Sequence, residues 1–180
     1  PSFHLSLQSG CDKILKKMNR KYTCEQYYQA VKLLRQTFKD CAITTDIIVG
    51  FPGESDDDFL QTCEYVKKIG FSKIHIFPYS IRLGTKAATM EDQVAKNIKS
   101  ERVNKLKVLE KQMRYEFYKS QLLKHTQVLI EEYKDGLLHG YTNNYIKVAL
   151  NGSPEQCGKI VDVILDSVEN DQMFAKEIKQ

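Results

Sequence analysis

Asp46-Ile-Ile-Val-Gly-Phe-Pro-Gly-Glu54 joins an apolar, β-branched run to a glycine turn and a helix start, and its reading decides the fold. The run begins at Ala42, and Ile43, Thr44, Thr45, Ile47, Ile48 and Val49 suit a strand covered on both faces. Gly50, Pro52 and Gly53 then force a turn. Ser55 is a good N-cap with Asp58 three residues on, and Asp56 and Asp57 put negative charge where the helix macrodipole favours it. A helix to about Ile69 follows. In parallel sheets ligands bind at the carboxyl ends of strands, so glycines at Gly50 and Gly53 would let a ligand approach the backbone closely. Taken alone, an ordinary strand-to-helix joint accounts for the same residues.

The neighbouring segments repeat the βα pattern. Strand-like runs cover about Phe3 to Leu7 and Lys73 to Phe77. Between the first run and Ala42 lie a short helix over Asp12 to Met18 and a second one opened by Thr23, with Gln26 completing a capping box. Tyr27, Ala30, Val31, Leu34 and Phe38 recur there at helical spacing and are core positions. A parallel sheet of three strands leaves faces and edges uncovered, so further strands are expected before Pro1 and the chain reads as a piece of a longer protein.

A long helical pattern spans Gln93 to Leu123, with Val94, Ile98, Val103, Leu106, Leu109, Met113, Phe117 and Leu122 near one stripe. From Thr126 the texture changes to short β-like runs at Val128 to Tyr133, Tyr145 to Leu150, Lys159 to Leu165 and Met173 to Ile178. Four or five strands in so short a stretch suit a small closed barrel, because closure removes exposed edges. The expected domains are therefore residues 1–124 and 125–180.

Within 180 residues the net charge of +4 is unevenly spread: residues 1–94 carry +2, residues 95–124 carry +6 and residues 125–180 carry −4. A lysine-rich helix can bind phosphates, although such a helix is more often a solvated face. The sequence has neither an apolar run of about 20 residues nor a secretory leader pattern, so membrane insertion and secretion lack support and a cytoplasmic setting is expected. The 5 cysteines, Cys11, Cys24, Cys41, Cys63 and Cys157, are scattered and never two or three residues apart, so none of the spacings of a zinc or iron–sulfur knuckle occurs.

Four segments share one order: Gln8-Ser9-Gly10, Met18 to Thr23 with Arg20, Thr45 to Glu54, and Tyr79 to Ala87. In that order they resemble the radical S-adenosylmethionine methylthiotransferases. The resemblance extends over the whole chain, since the terminal barrel is similar to the TRAM domain of that family. It implies an α/β fold, the carboxyl-terminal part of a partial (β/α) radical SAM barrel followed by a small antiparallel, OB-like β-barrel. It also implies S-adenosylmethionine as cofactor, with Gln8 and Asp46 on the ribose and Arg20 on the methionine carboxylate. Ser9, Gly50, Pro52, Gly53 and Tyr79 complete the expected cofactor-binding set. The chemistry suits these residues: an amide donates and accepts, a carboxylate accepts from two hydroxyls, and a guanidinium grips a carboxylate with two charge-assisted bonds. Without the resemblance, Gln8 reads as a capped turn, Arg20 as a surface ion pair and Asp46 as a strand-end acceptor.

One departure from the family pattern is decisive. The family holds its 4Fe-4S clusters with cysteine triads, and this sequence has none, so the ligands are not in this chain and it is expected to be inactive alone. The upstream half of the same polypeptide would supply them. Within the family, Gly140-Tyr-Thr-Asn-Asn-Tyr-Ile-Lys-Val148 most resembles the type that acts on N6-threonylcarbamoyladenosine in tRNA, rather than those acting on another tRNA adenosine or on a ribosomal protein. Tyr141 and Tyr145 would stack on bases, and Asn143, Asn144 and Lys147 would reach base edges or phosphate. Phosphate contacts are expected from Arg82 and from Lys99, Arg102, Lys105, Lys111 and Arg114 on the basic helix. A competing class is a non-enzymatic RNA-binding module in which the βα part is only a scaffold.

Overall fold

The computed structural model describes residues 1–178. It divides into two compact units, one formed by Phe3–Lys39 and Ile43–Met113, the other by Pro1–Ser2, Asp40–Ala42 and the chain from Arg114 onward.

The first unit is a three-stranded sheet in the order β1 (Ser2–His4), β2 (Ala42–Val49), β3 (Lys73–Pro78), with helices α1 (Asp12–Lys17), α2 (Cys24–Thr37) and α3 (Asp56–Ile69) between the strands. Both expected capping boxes form, Thr23 with Gln26 and Ser55 with Asp58, and each satisfies amide groups that the first helical turn leaves unpaired. Gly70 closes α3 at φ 66°, a left-handed cap that favours glycine. β2 and β3 run parallel, with Asp46 opposite His75 and Ile48 opposite Phe77.

β2 alternates. Ile43, Thr45, Ile47 and Val49 are buried, while Thr44, Asp46 and Ile48 are half-exposed. The strand is therefore covered on one face only, which corrects the expectation of cover on both. β1 is shorter than the expected Phe3 to Leu7 because the Leu7 amide turns to the Thr45 hydroxyl (2.9 Å) and the ladder resumes only at Gln8, whose N–H donates to the Asp46 carbonyl (2.8 Å).

α4 (Lys96–Lys119) starts in the first unit, and of its expected apolar stripe only Leu106 is fully buried. The second unit is a closed barrel, β4 (His125–Lys134), β5 (Leu137–Thr142), β6 (Lys147–Leu150), β7 (Ile160–Glu169) and β8 (Gln172–Glu177), with the order β4-β5-β6-β8-β7. Val128, Ile130, Leu138, Ile146, Val148, Val163 and Met173 fill it, and Phe117, Tyr118 and Leu122 pack against that core. The last turns of α4 consequently belong to the barrel unit. Gly140 is required in β5, since any side chain there would collide with the Leu129 carbonyl. β5 itself escaped the sequence reading, and β6 begins at Lys147 rather than Tyr145, whose backbone is left-handed at φ 61°.

Candidate functional site

The turn after β2 is built for the protein's own side chains. Gly50 and Gly53 have φ of 70° and 76°; a side chain on Gly50 would strike the stem of Lys99, and one on Gly53 the amine of Lys17. The Gly50 N–H donates to Glu54 Oε1 (3.0 Å), and the Gly53 N–H to the Asp92 carbonyl (2.7 Å). The space above these glycines is thus taken by lysines, not left open to a ligand, and neither glycine nor the buried Pro52 is in the cavity wall described below. Ser9 is also internal: it is 1% exposed, its hydroxyl lies 3.3 Å from that of Thr62, and it accepts the Cys11 N–H.

Arg102 anchors the same turn. Its guanidinium donates to the Glu54 carbonyl (3.1 Å), to Glu54 Oε1 (2.7 Å) and to Asp56 Oδ1 (2.8 Å), with the Arg102 and Glu54 side chains 6% and 2% exposed. The expectation of a phosphate contact from Arg102 is corrected here, because its charge is spent internally. Lys99 is likewise engaged, donating to the Tyr79 carbonyl (3.1 Å) with its ammonium 5.1 Å from the Tyr79 ring centroid. Burial pushes the Glu54 carboxyl above its ordinary range, while the Gly50 amide and Arg102 pull it back.

Beside this turn a cavity of about 480 Å³ opens at the carboxyl ends of β2 and β3. Gln8, Asp46, Ile48, Phe51, Tyr79 and Arg82 are among its walls. The parity of β2 explains the arrangement, since Asp46 and Ile48 lie on its uncovered face. Gln8 is held at φ 72° by backbone bonds to β2 on either side, from its N–H to Asp46 and from the Ile48 N–H to its carbonyl. The Tyr79 ring packs edge-on against Phe51 at 5.2 Å, and its hydroxyl is buried with no hydrogen-bond partner among the described residues. Gln8, Asp46 and Tyr79, all expected on the cofactor, come together at this one cavity. Arg82, expected on RNA, stands in that wall, whereas Arg20 lies exposed on the turn after α1 and is not part of it. No local signal separates the two arginines, because the distinction depends on where β3 delivers its loop.

The volume and wall suit a nucleoside-sized ligand that carries a carboxylate: an amide and a carboxylate for hydroxyl groups, a guanidinium for the acid, and an unpaired phenol. S-adenosylmethionine fits that donor set. An iron–sulfur cluster does not. Such clusters need three neighbouring thiolates, and among the described residues no three cysteines gather; Cys11, Cys41 and Cys63 are buried, and burial and then the neighbouring Asp12 push the Cys24 thiol up to about 12.

On the barrel, Tyr141 and Tyr145 form a pair with ring centroids 5.9 Å apart, and Tyr145 is 74% exposed, so it is not core. Lys147 is exposed beside them. Asn144 departs from the expectation: it is buried, accepts from the Thr142 hydroxyl (2.6 Å) and donates to the Asp40 carbonyl (3.1 Å), so its amide is committed to the turn rather than to a base edge. Lys105 and Lys111 are exposed on α4, Lys105 paired with Glu101 (2.7 Å), and Arg114 lies 3.7 Å from Asp171.

Residues 1–66 match the model of the Radical SAM superfamily. Over 165 residues the chain is 41% identical to the threonylcarbamoyladenosine tRNA methylthiotransferase MtaB of Bacillus subtilis, covering 89% of this chain and 37% of that protein. It is 44% identical over 165 residues to MtaB of Aquifex aeolicus, covering 92% of this chain and 39% of the relative. The chain is thus similar to radical SAM methylthiotransferases over nearly its whole length. It is also 41% identical over 164 residues to the tRNA-2-methylthio-N(6)-dimethylallyladenosine synthase of Pelotomaculum thermopropionicum, covering 89% of this chain and 37% of that enzyme. Among solved structures, 97% of the chain superposes on 55% of archaeal Elp3 from Methanocaldococcus infernus with a TM-score of 0.48 and 14% identity. The chain thus spans well under half the length of the curated methylthiotransferases it matches. No helix among the described residues is long and apolar enough to cross a membrane.

Proposed function

We propose that this chain is the carboxyl-terminal portion of a cytoplasmic radical SAM methylthiotransferase that adds a methylthio group at C2 of N6-threonylcarbamoyladenosine beside the tRNA anticodon. The observation that carries this reading is the cavity in which Gln8 and Asp46 stand together at strand ends, in a chain with 41% and 44% identity to two MtaB enzymes. In that cavity Gln8 and Asp46 bond the ribose hydroxyls of S-adenosylmethionine, and Tyr79 contributes wall. The methionine carboxylate falls to Arg82, on the wall, or to Arg20, which the family motif favours. S-adenosylmethionine, reduced by a cluster held outside this sequence, supplies the radical chemistry; this chain supplies binding and orientation and is inactive alone.

The barrel is read as the TRAM domain and as a tRNA surface in which Tyr141 and Tyr145 stack on bases. Lys147 on the barrel and Lys105, Lys111 and Arg114 on α4 meet phosphates. Two experiments on the full-length enzyme test the reading. Asp46→Asn and Gln8→Ala should each weaken S-adenosylmethionine binding while the protein stays folded; unchanged affinity in both would remove the cavity from the cofactor site. Reversing Lys105 and Lys111 to Glu should flatten the salt dependence of tRNA binding, and Tyr141→Ala should cost about 1 to 3 kcal/mol with little change in that slope. Mass spectrometry of nucleosides from a strain lacking the gene decides the substrate. Loss of methylthio groups from dimethylallyladenosine instead of threonylcarbamoyladenosine would overturn the assignment.

A further inference from the structure

We propose that His4, Asp46 and His75 form a binding site for a first-row divalent transition ion of the zinc class. The three residues come from three adjacent strands. Asp46 and His75 are register partners across β2 and β3, and His4 ends β1 on the other side of β2. One ligand atom from each lies within 4.8 Å of the other two, and His4 Nε2 stands 3.2 Å from Asp46 Oδ2. With metal–ligand bonds of about 2.1 Å, a separation of that size subtends about 100° at a shared ion, between the octahedral and tetrahedral values. Closing the triangle asks the half-exposed His75 ring to move by at most about 1.5 Å.

The surroundings resemble an outer shell. Thr44 Oγ1 lies 2.9 Å from His4 Nδ1, the ring nitrogen that a metal-bound histidine uses to fix its orientation, and the Ser6 hydroxyl donates to Asp46 Oδ2 (3.3 Å). Among the described residues no lysine or arginine forms an ion pair with Asp46. Two imidazoles and one carboxylate select a zinc-class ion over magnesium or calcium, and they leave coordination positions to water. Nothing in the radical chemistry proposed above uses His4 or His75.

The site goes beyond the cofactor reading and touches it at one atom group, the Asp46 carboxylate. An ion there and a ribose claim the same oxygens, so each displaces the other. A metal-bound state is then one in which the cofactor cannot seat.

Titration of this chain with Co²⁺ and Zn²⁺, using calorimetry and the visible spectrum of cobalt, tests the proposal. The exposed Cys157 is first replaced by Ser to remove a competing thiol. One ion per chain should bind, with a cobalt spectrum of nitrogen and oxygen ligands. His4→Ala and His75→Ala should each lower the affinity more than tenfold, and Thr44→Val should lower it by about tenfold. Thermal melts without metal show whether each variant is folded, and His4→Gln serves should His4→Ala unfold. Absence of saturable binding, retention of wild-type affinity in both histidine variants, or a thiolate-to-cobalt spectrum would overturn the site. The full-length enzyme separates the two readings, since His75→Ala should lose the ion and keep S-adenosylmethionine, whereas Asp46→Asn with undiminished cofactor affinity would defeat the ribose contact and leave the metal site standing.

Discussion

Arg102→Met should destabilise the first unit by about 3 kcal/mol at neutral pH, because it strands a buried carboxylate. Methionine keeps most of the stem, which packs with its guanidinium carbon 5.5 Å from the Phe59 ring centroid, so little apolar contact is lost. What disappears is the guanidinium that bonds Glu54 Oε1 at 2.7 Å and the Glu54 carbonyl at 3.1 Å. Its third bond, to Asp56, involves a side chain 85% exposed and contributes little. The Gly50 N–H still donates to Glu54, which keeps the loss near the lower end of the range for broken buried pairs. The penalty depends on pH. Burial already raises the Glu54 carboxyl, and losing Arg102 raises it further. A carboxyl whose folded pKa lies above its unfolded one binds a proton on folding, so stability falls as pH rises through that window. The loss in Arg102→Met should therefore be smaller at a mildly acidic pH than at a mildly alkaline one. Urea unfolding at both values measures it, and adding Glu54→Gln should recover more than half of the loss at the higher pH. An equal loss at the two pH values, or no recovery, would refute the buried pair as the cause. Weakened tRNA binding at unchanged stability would restore Arg102 to the RNA surface.

Two further perturbations read other parts of the framework. Burial alone would raise the Asp58 carboxyl, but hydrogen bonds from Lys13 and Ser55 outweigh it and bring it down to about 2 from 3.8. The side chain is 5% exposed, and a shift of this size stabilises the fold by about 2 kcal/mol, present above pH 3.8 and lost as pH falls towards 2. Asp58→Asn should accordingly remove that amount at neutral pH and converge with the wild type in acid; a constant deficit across the range would point to lost packing instead. Tyr145 holds φ 61° while 74% exposed, so Tyr145→Gly should raise thermal stability by about 1 kcal/mol and, on the tRNA reading proposed above, weaken tRNA binding in the full-length enzyme. A less stable glycine variant would show that the Tyr141 ring contact outweighs the backbone strain.

Local chemistry made much of this molecule legible. The capping boxes at Thr23 and Ser55, the stop at Gly70 and the turn after Val49 each rest on residues within a few positions of one another, so the βα order could be read directly. The assignments that failed depend on partners far along the chain. Arg102 looked like one more cation on a basic helix, and only contact with Glu54, 48 residues away, removes it from the surface. Asn144 reads from sequence as an amide free to reach a base edge or phosphate, yet it bonds the carbonyl of Asp40, 104 residues away. Gly50 and Gly53 read as turn formers, and their positive φ of 70° and 76° bears that out, but Lys99 and Lys17 rather than a ligand lie over them. β5 was overlooked because Gly140 interrupts its pattern, and the requirement for glycine there comes from the facing β4 backbone.

The parity of β2 ties these results together. Ile43, Thr45, Ile47 and Val49 lie beneath the helices, and Thr45 even breaks the ladder of β1 by taking the Leu7 amide onto its hydroxyl. Thr44, Asp46 and Ile48 occupy the other face, where the cavity and the histidines gather. A pleated strand enforces that separation with a period of two. Truncating Ile47, fully buried, should cost roughly 2 to 5 kcal/mol of stability. Asp46→Asn, one residue away, removes charge from a half-exposed position with no buried partner to strand, so its effect falls on ligand binding. Core burial and cavity wall thus fall on alternate residues of one strand, and insertion of a single residue within β2 would exchange the two sets beyond it.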